Sequence, residues 1–275
     1  MDRRISTILI VGATSGLGEG YARRFHDMGK KVIITGRRAD RLSALKQELP
    51  GIETRQMDVA DLASLPRQVD EILKAFPDLD TVFLNAGIQT SFSFFDPSSS
   101  SDDAIATEIT TNLTSSIILT RFFMPHLQSI AQSGKPANLL ITTSGLAYIS
   151  FGFYPVYCPT QAARHSFAVA LRQQIAATDA EVQKNLAVVE IAPPYVDTAL
   201  DANHRAQVNA MQGGGDKLVR PMALEEYLDK SMEGLMELDA KGRPKKEVGV
   251  GIAQRGIDAW RGAFGPMLEG LGIDA

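Results

Sequence analysis

Short runs of consecutive apolar residues alternate along the chain with longer amphipathic segments. Such runs are typical of strands buried on both faces, and the periodic segments between them indicate helices that cover a parallel sheet. The pattern predicts seven strands, at 6–12, 31–35, 53–57, 80–84, 137–143, 185–191 and 248–252. It predicts helices at 16–28, 39–49, 61–75, 102–131, 157–178 and 224–238. The fold class is therefore α/β, with a doubly wound parallel sheet that has helices on both faces.

Two segments lack both kinds of pattern. The first, 88–101, contains Pro97 and a run of serines, and the second, 199–222, contains three consecutive glycines at 213–215. Both follow predicted strands on the side of the sheet where ligands bind in folds of this class. We expect them to be substrate-side loops of a single domain that spans 1–275.

Three glycines follow the first predicted strand, at the point where a helix begins. Gly12 permits a tight turn, Gly16 leaves no side chain between the backbone and a bound pyrophosphate, and Gly18 lets the helix lie close to the sheet. The N-terminus of that helix would point at the anion. This spacing predicts the phosphate-binding turn of a Rossmann fold, and a purely structural turn is the alternative.

Two arginines, Arg37 and Arg38, follow the second predicted strand. A nucleotide-binding fold places an acidic residue here when it holds a free ribose 2′-hydroxyl. Two guanidinium groups without a carboxylate suit a 2′-phosphate instead, through charge-assisted hydrogen bonds. We therefore expect the cofactor to be NADP(H) rather than NAD, with two solvated arginines as the alternative interpretation.

Composition narrows the class of partner. The net charge is −4 and neither sign of charge forms long blocks, which argues against nucleic-acid and membrane partners and favours a small-molecule substrate. Cys158 is the only cysteine, so the chain can form neither an internal disulfide nor a thiolate metal site, and its 4 histidines lie too far apart in sequence to suggest a metal site. No apolar run approaches the ~20 residues of a membrane span. We expect a soluble, cytoplasmic protein without a metal.

Further motifs follow the glycine turn in a fixed order. They are Asp58-Val59, Asn85-Ala86-Gly87 and Pro193-Pro194-Tyr195-Val196-Asp197-Thr198. With the turn, they resemble the classical short-chain dehydrogenase/reductase family from about Ile5 to Thr198, although Val11 replaces a threonine and Pro194 a glycine of its motifs. The turn, the arginines and the resemblance together imply a set of cofactor-binding residues. These are Gly12, Thr14, Ser15, Gly16, Leu17, Gly18, Arg37, Arg38, Asp58, Val59, Asn85, Ala86, Gly87, Tyr157, Gln161, Pro193, Val196 and Thr198.

The resemblance also implies catalytic residues. Ser144 lies thirteen residues before Tyr157, which is the family's serine-to-tyrosine spacing, and Asn112 matches the asparagine that holds a structural water. A tyrosine has an ordinary pKa of about 10, so Tyr157 can give a proton to an oxygen that becomes an alkoxide as hydride arrives. By resemblance, Ser144 hydrogen-bonds the same oxygen. The expected catalytic residues are Tyr157, Ser144, Asn112 and Gln161.

Gln161 departs from the family, whose Y-x-x-x-K motif has a lysine at this position. Its amide can still hydrogen-bond a nicotinamide ribose, but it carries no charge, so Tyr157 is expected to be a weaker acid and a poorer base. Three explanations stay open: a slow reductase, an enzyme with non-redox chemistry such as cyclisation or isomerisation, or an engineered replacement of the lysine. A cofactor-binding protein that has lost catalysis is a further alternative.

These observations predict an NADP(H)-dependent oxidoreductase that reduces a carbonyl or oxidises the corresponding alcohol. Two aromatic clusters in predicted ligand-side loops favour a medium-sized apolar or aromatic substrate. They are Phe92, Phe94 and Phe95, and Phe151, Phe153 and Tyr154. The family resemblance also implies a homodimer or homotetramer that packs through the long helices at 102–131 and 157–178.

Overall fold

Seven parallel strands form one sheet at the centre of the part of the chain that the structure describes, residues 1–211 and 220–272 of a computed structural model. They are β1 (Thr7–Val11), β2 (Lys31–Gly36), β3 (Glu53–Gln56), β4 (Thr81–Leu84), β5 (Ala137–Thr142), β6 (Leu186–Ala192) and β7 (Glu247–Gly249). Their order across the sheet is β3-β2-β1-β4-β5-β6-β7. The predicted strands are thus confirmed, with small differences at their ends.

The direction of winding reverses between β1 and β4. Ile10 of β1 lies opposite Ile34 of β2 on one side and Phe83 of β4 on the other. The chain builds the sheet outward from β1 in one direction through β3, and then in the other direction from β4 through β7. Ligands of doubly wound sheets bind at the carboxyl ends of the strands beside this reversal.

Helices cover both faces of the sheet. They are α1 (Gly16–Asp27), α2 (Ala39–Glu48), α3 (Leu65–Ala75), α4 (Asp102–Ile109), α5 (Ser115–Gln132), α6 (Tyr157–Ala176), α7 (Ala180–Asn185), α8 (Arg205–Met211), α9 (Leu224–Met236) and α10 (Ile252–Gly270). Alternate residues of β1 enter two separate cores, Ile8 and Ile10 on one face and Leu9 and Val11 on the other. This arrangement confirms the predicted fold class. None of the helices within the described ranges is long and apolar enough to span a membrane.

The predicted helix at 102–131 is divided by a π-helical turn, Thr110–Thr114, between α4 and α5. A π turn inserts an extra residue into the helical path and is frequently found at functional sites. Asn112, one of the expected catalytic residues, lies in this turn and is fully buried. Hydrophobic periodicity did not predict the interruption, because one inserted residue changes the pattern too little.

The segment at 199–222 is not a loop throughout, which corrects the expectation from sequence. Its described part contains α8, and a buried carboxylate, Asp201, accepts a hydrogen bond of 2.7 Å from Arg205 four residues later. The Tyr195 hydroxyl donates to the same carboxylate at 2.6 Å. These contacts stabilise a short helix that its composition does not predict. The three glycines at 213–215 lie outside the described residues.

Two further helices, α7 and α10, were not predicted. The sequence of α10 contains Gly256, Gly262, Gly265 and Pro266, all of which lower intrinsic helix propensity. Tertiary packing outweighs this cost near its start, where Ala253 and Ile257 are buried against the end of β6. At Gly256 an added Cβ would lie 3.0 Å from the Cβ of Tyr148, so the helix approaches that residue closely.

Candidate active site

A cavity of about 1130 Å³ lies along the carboxyl ends of the strands and contains nearly all of the predicted site residues in its walls. Of the catalytic and cofactor-binding residues predicted from sequence, only Gly18 and Asn112 are outside its lining. Its volume is somewhat above the ~300–1000 Å³ of ordinary small-molecule pockets. It therefore has room for a dinucleotide and a small substrate together.

Close backbone packing explains two of the three glycines after β1. Gly12 has a φ of +84°, and a Cβ at this position would lie 2.6 Å from the Cα of Ala86. A Cβ at Gly18 would overlap the carbonyl oxygen of Gly12, so α1 lies directly against the end of β1. Gly16 has a φ of +56° and lines the cavity. The predicted turn is present, and side chains at Gly12 and Gly18 would disrupt it.

The N-terminus of α1 fits an anionic group. The helix begins at Gly16, and the side chain of the N-cap residue Ser15 accepts no hydrogen bond from the helix backbone. The N–H groups of a first helical turn have no partner within the helix, and the helix dipole favours negative charge at this end. Because Ser15, Gly16 and Leu17 all line the cavity, these donors suit the phosphates of a dinucleotide.

Asn85 joins the ends of three strands. Its side-chain amide donates to the carbonyl oxygen of Gly12 at 2.9 Å and accepts from the Thr142 hydroxyl at 3.0 Å. Its backbone N–H donates to the carbonyl oxygen of Val11 at 3.0 Å. The ends of β1, β4 and β5 are thereby fixed relative to one another at the floor of the cavity.

Basic side chains lie where β2 ends. Arg38 donates to the hydroxyls of Thr14 at 2.9 Å and Ser15 at 2.7 Å, and the exposed Arg37 lines the same end of the cavity. Arg41, which was not predicted, donates to Glu19 at 2.9 Å in the first turn of α1. Its position three residues after Arg38 is the sequence feature that could have indicated a third basic side chain here. The cavity therefore has a positively charged end next to the glycine turn.

Tyr157 and Ser144 lie together at the other end of the cavity. Tyr157 is the first residue of α6 and only 7% exposed, and Pro159 occupies the first turn of the helix, where a proline is tolerated. Burial raises the pKa of Tyr157 to about 12, against the opposing effects of a hydrogen bond with Ser144 and of the charge on Arg164. The phenol is therefore protonated at neutral pH and can act as a proton donor.

Asn112 lies behind this end of the cavity rather than in its wall. Its side chain accepts from the backbone N–H of Ile88 at 2.8 Å and donates to the carbonyl oxygen of the same residue at 2.9 Å. It also donates to the hydroxyl of Thr160 at 3.2 Å. These bonds join the segment after β4 to the first turn of α6.

Gln161 and Arg164 extend from α6 beneath the site. Gln161 is 2% exposed, and its Oε1 has no hydrogen-bond partner among the described residues. Arg164 is 1% exposed and donates to the carbonyl oxygens of Leu84 at 2.7 Å and Ala86 at 3.3 Å. Sequence analysis missed Arg164, although an arginine seven residues after Tyr157, and therefore on the same face of the helix, was a usable signal.

A buried polar cluster holds the segment that contains Ser144. The fully buried carboxylate of Glu190, on β6, accepts from the hydroxyls of Thr143 at 2.7 Å and Tyr148 at 2.8 Å. It also lies 2.7 Å from Nδ1 of His165 on α6. Sequence analysis missed this cluster. The feature that could have indicated it is a glutamate within the apolar run of β6.

The walls near Tyr157 are mainly apolar. They include Leu146, Ile149, Phe151, Tyr154 and Val208. Among the six aromatic residues expected near the substrate, Phe151 and Tyr154 are in the cavity lining, whereas Phe94 and Phe95 are 71% and 101% exposed. The second predicted aromatic cluster thus reaches the cavity wall, while these two residues of the first cluster face solvent.

Comparison with known proteins identifies the family. Residues 6–209 match the family described as short chain dehydrogenase. The chain is 36% identical over 234 residues to the uncharacterized oxidoreductase DltE of Bacillus subtilis, and the aligned region covers 84% of this chain and 85% of that protein. It is 34% identical over 176 residues to the NADP-dependent 3-hydroxy acid dehydrogenase YdfG of Salmonella typhimurium, covering 64% and 68% of the two chains.

Solved structures agree with the fold. A short-chain dehydrogenase from Sphingobium yanoikuyae in complex with NADPH superimposes with a TM-score of 0.74 at 22% identity, over 96% of this chain and 95% of that one. A short-chain dehydrogenase/reductase from Burkholderia phymatum in complex with NAD gives 0.75 at 18% identity, over 97% and 96%. The chain belongs to the classical short-chain dehydrogenase/reductase family of oxidoreductases, which bind nicotinamide cofactors and act on small molecules.

The contact at Gly12 can be tested against a matched glycine. Gly51 has a similar φ of +88°, but an added Cβ there would meet nothing within 4 Å. Gly51→Ala should therefore cost only the backbone strain of a left-handed residue, about 1–2 kcal/mol in the free energy of unfolding. Gly12→Ala has the same strain and also overlaps Ala86. We expect it to cost more in urea denaturation and to abolish dinucleotide binding; equal costs for the two variants would contradict the close-packing argument.

Proposed function

We propose that this protein uses NADP(H) to reduce a carbonyl group, or to oxidise the corresponding alcohol, in an apolar or aromatic small molecule. The observation that carries the proposal is the pairing of a buried, protonated Tyr157 with Ser144 in a cavity that also contains the glycine turn. The cofactor, when bound, supplies the hydride. The side chains of this chain supply the proton and the orientation of the substrate.

Proton transfer is assigned to Tyr157. Ser144 donates a hydrogen bond to the substrate carbonyl oxygen and fixes its position, as a preorganised neutral donor does. As the carbonyl carbon gains hydride, its C=O π bond breaks and the oxygen takes the proton of the Tyr157 hydroxyl. The product is an alcohol, and the resulting phenolate recovers a proton from solvent. In the reverse direction the phenolate accepts the alcohol proton.

Other residues are proposed to hold the cofactor and the site. The turn at Gly12, Gly16 and Gly18 and the N-terminus of α1 suit the pyrophosphate. Asn112 keeps α6 and the segment after β4 in register. The remaining cofactor contacts are assigned to Thr14, Ser15, Leu17, Asp58, Val59, Asn85, Ala86, Gly87, Gln161, Pro193, Val196 and Thr198, all of which line the cavity.

Tyr157→Phe should reduce NADPH-dependent carbonyl reduction by about 100-fold or more, since general acid catalysis contributes about 10²–10⁴. NADPH binding should remain. Tyr227→Phe is a control, because it removes a buried phenol hydroxyl that hydrogen-bonds Tyr21 in the core. NADPH consumption is followed by absorbance over a panel of apolar and aromatic aldehydes and ketones. Full activity of Tyr157→Phe would refute the assignment, and product without net NADPH oxidation would favour the non-redox alternative.

The preference for NADP(H) over NAD(H) is attributed to Arg37 and Arg38, whose charges suit a 2′-phosphate. The relative from Salmonella typhimurium is likewise named as NADP-dependent. Calorimetric titration should show tighter binding of NADPH than of NADH, and Arg37→Ala should weaken the NADPH preference. Arg67→Ala is the control, because Arg67 lies on α3 and pairs with Glu71. A preference that survives Arg37→Ala, or that does not fall as salt increases, would contradict the electrostatic explanation.

A homodimer or homotetramer is proposed for the assembly. Exposed apolar side chains on α4 and α5, Ile109 at 39% and Ile117 at 40%, support packing through these helices. Light scattering at micromolar concentration should give a mass at least twice that of one chain, and Ile117→Lys should lower it. A monomeric mass for the unsubstituted protein would refute the proposal.

A further inference from the structure

A buried arginine side chain, Arg164, lines the cavity at a position to which the family motif assigns no role. Arg164 lies three residues after Gln161 and seven after Tyr157, so the three side chains share one face of α6. All three line the same cavity. Side chains on a helix lean towards its N-terminus, so the long Arg164 side chain extends in the direction of Gln161 and Tyr157.

The charge on Arg164 has no carboxylate partner in the part of the chain that the structure describes. Its two hydrogen bonds are to backbone carbonyl oxygens, its Nε has no partner among the described residues, and the carboxylate of Glu190 acts on it as a nearby charge rather than as an ion-pair partner. Arg172, also buried on α6, contrasts with it, because Arg172 pairs with Glu247 at 2.5 Å. A buried charge without a direct carboxylate partner is unfavourable for folding, so its presence in the wall of the cavity points to a role in the site.

We propose that Arg164 supplies the positive charge that Gln161 lacks at the lysine position of the family motif, and that this charge acts on the Tyr157 proton and the nicotinamide ring. The proposal rests on the oxidoreductase function proposed above. Arg164 acts on these two groups through its charge and is therefore a positioning residue. Two observations support this assignment beyond the shared cavity. The charge on Arg164 lowers the pKa of Tyr157 against the effect of burial, and Gln161, three residues away, has an acceptor atom without a partner among the described residues.

A positive charge near the nicotinamide ring changes the relative affinity for the two cofactor forms, which an arginine with a purely structural role would not do. The nicotinamide ring is positively charged in NADP⁺ and neutral in NADPH, so a nearby cation weakens binding of NADP⁺ relative to NADPH. The ratio of the two dissociation constants, Kd(NADP⁺)/Kd(NADPH), therefore reports the charge without any substrate or turnover. Loss of the contacts to Leu84 and Ala86 alone would weaken both forms equally.

The test compares neutral and charged replacements at position 164. Arg164→Gln keeps hydrogen-bond donors without the charge, Arg164→Lys keeps the charge, and Gln161→Lys combined with Arg164→Gln moves the charge to the position of the family lysine. We expect Arg164→Gln to lower the Kd ratio at least threefold and to shift the alkaline limb of the reductase pH profile upward, because the phenolate loses a stabilising charge. Arg164→Lys and the double variant should both restore the ratio to within twofold of the unsubstituted protein.

Arg172→Gln is the matched control, since it removes a buried charge from the same helix further from Tyr157 while Glu247 keeps its ion pair with Arg261. It should leave the ratio unchanged. A ratio unaltered by Arg164→Gln, or equal weakening of both cofactor forms, would overturn the inference and leave the proposed function intact. If the unsubstituted protein bound neither NADP⁺ nor NADPH, the proposed function would fail, and this inference with it.

If Arg164→Gln alone does not fold, Gln161→Lys provides a second comparison. Under the inference, Gln161→Lys in the presence of Arg164 places two cations in the cavity and gives a higher Kd ratio than the double variant, which has one. Equal ratios for these two proteins would show that Arg164 contributes no charge to the site and would overturn the inference.

Discussion

The close contact between the ends of β1 and β4 is the constraint on which the site depends. Gly12 packs against the backbone of Ala86 so tightly that no Cβ fits, and Asn85 bonds both to Gly12 and to Thr142 at the end of β5. The same segment also receives the hydrogen bonds of Arg164 from α6. The phosphate-binding turn and the helix that carries Tyr157 are therefore positioned by one short stretch of backbone.

Burial determines the chemistry available at the other end of the cavity. It raises the pKa of Tyr157 to about 12, above the ordinary value of about 10, and so opposes the phenolate that must form as the proton leaves. A cation in the same buried space offsets that cost most effectively, because charges interact more strongly where water is excluded. In the account proposed here, the guanidinium of Arg164 takes this electrostatic role and the amide of Gln161 is left to hydrogen-bond a ligand.

Much of the fold and of the site could be predicted from local sequence patterns. Apolar runs predicted the strands because both faces of a parallel sheet are buried, and short motifs placed residues from distant parts of the chain in one cavity because each motif follows the carboxyl end of a strand. The π turn around Asn112 and the glycine-containing helix α10 could not be predicted, because their stability comes from tertiary contacts such as those of Ala253 with the end of β6.

The site residues that were not predicted were missed for a different reason. Arg164 lies in a helix of mixed polarity and Glu190 in an apolar strand, and a sequence does not show whether such a charged side chain reaches solvent or is buried with partners from other elements. Glu190 gains its partners from the segment after β5 and from α6, which lie beside β6 only in the folded protein. Their roles therefore depend on the three-dimensional arrangement.

Transfer of hydride from the cofactor to a carbonyl carbon is the central claim, and isotope labelling tests it directly. The protein is incubated with an apolar aromatic ketone or aldehyde and with NADPH deuterated at C4 of the nicotinamide, in separate reactions for the two faces of the ring. Mass spectrometry and NMR of the product should show one deuterium on the carbinol carbon from one of the two labelled cofactors. An alcohol formed without deuterium from either cofactor, or a rearranged product with the labelled cofactor unchanged, would contradict the account.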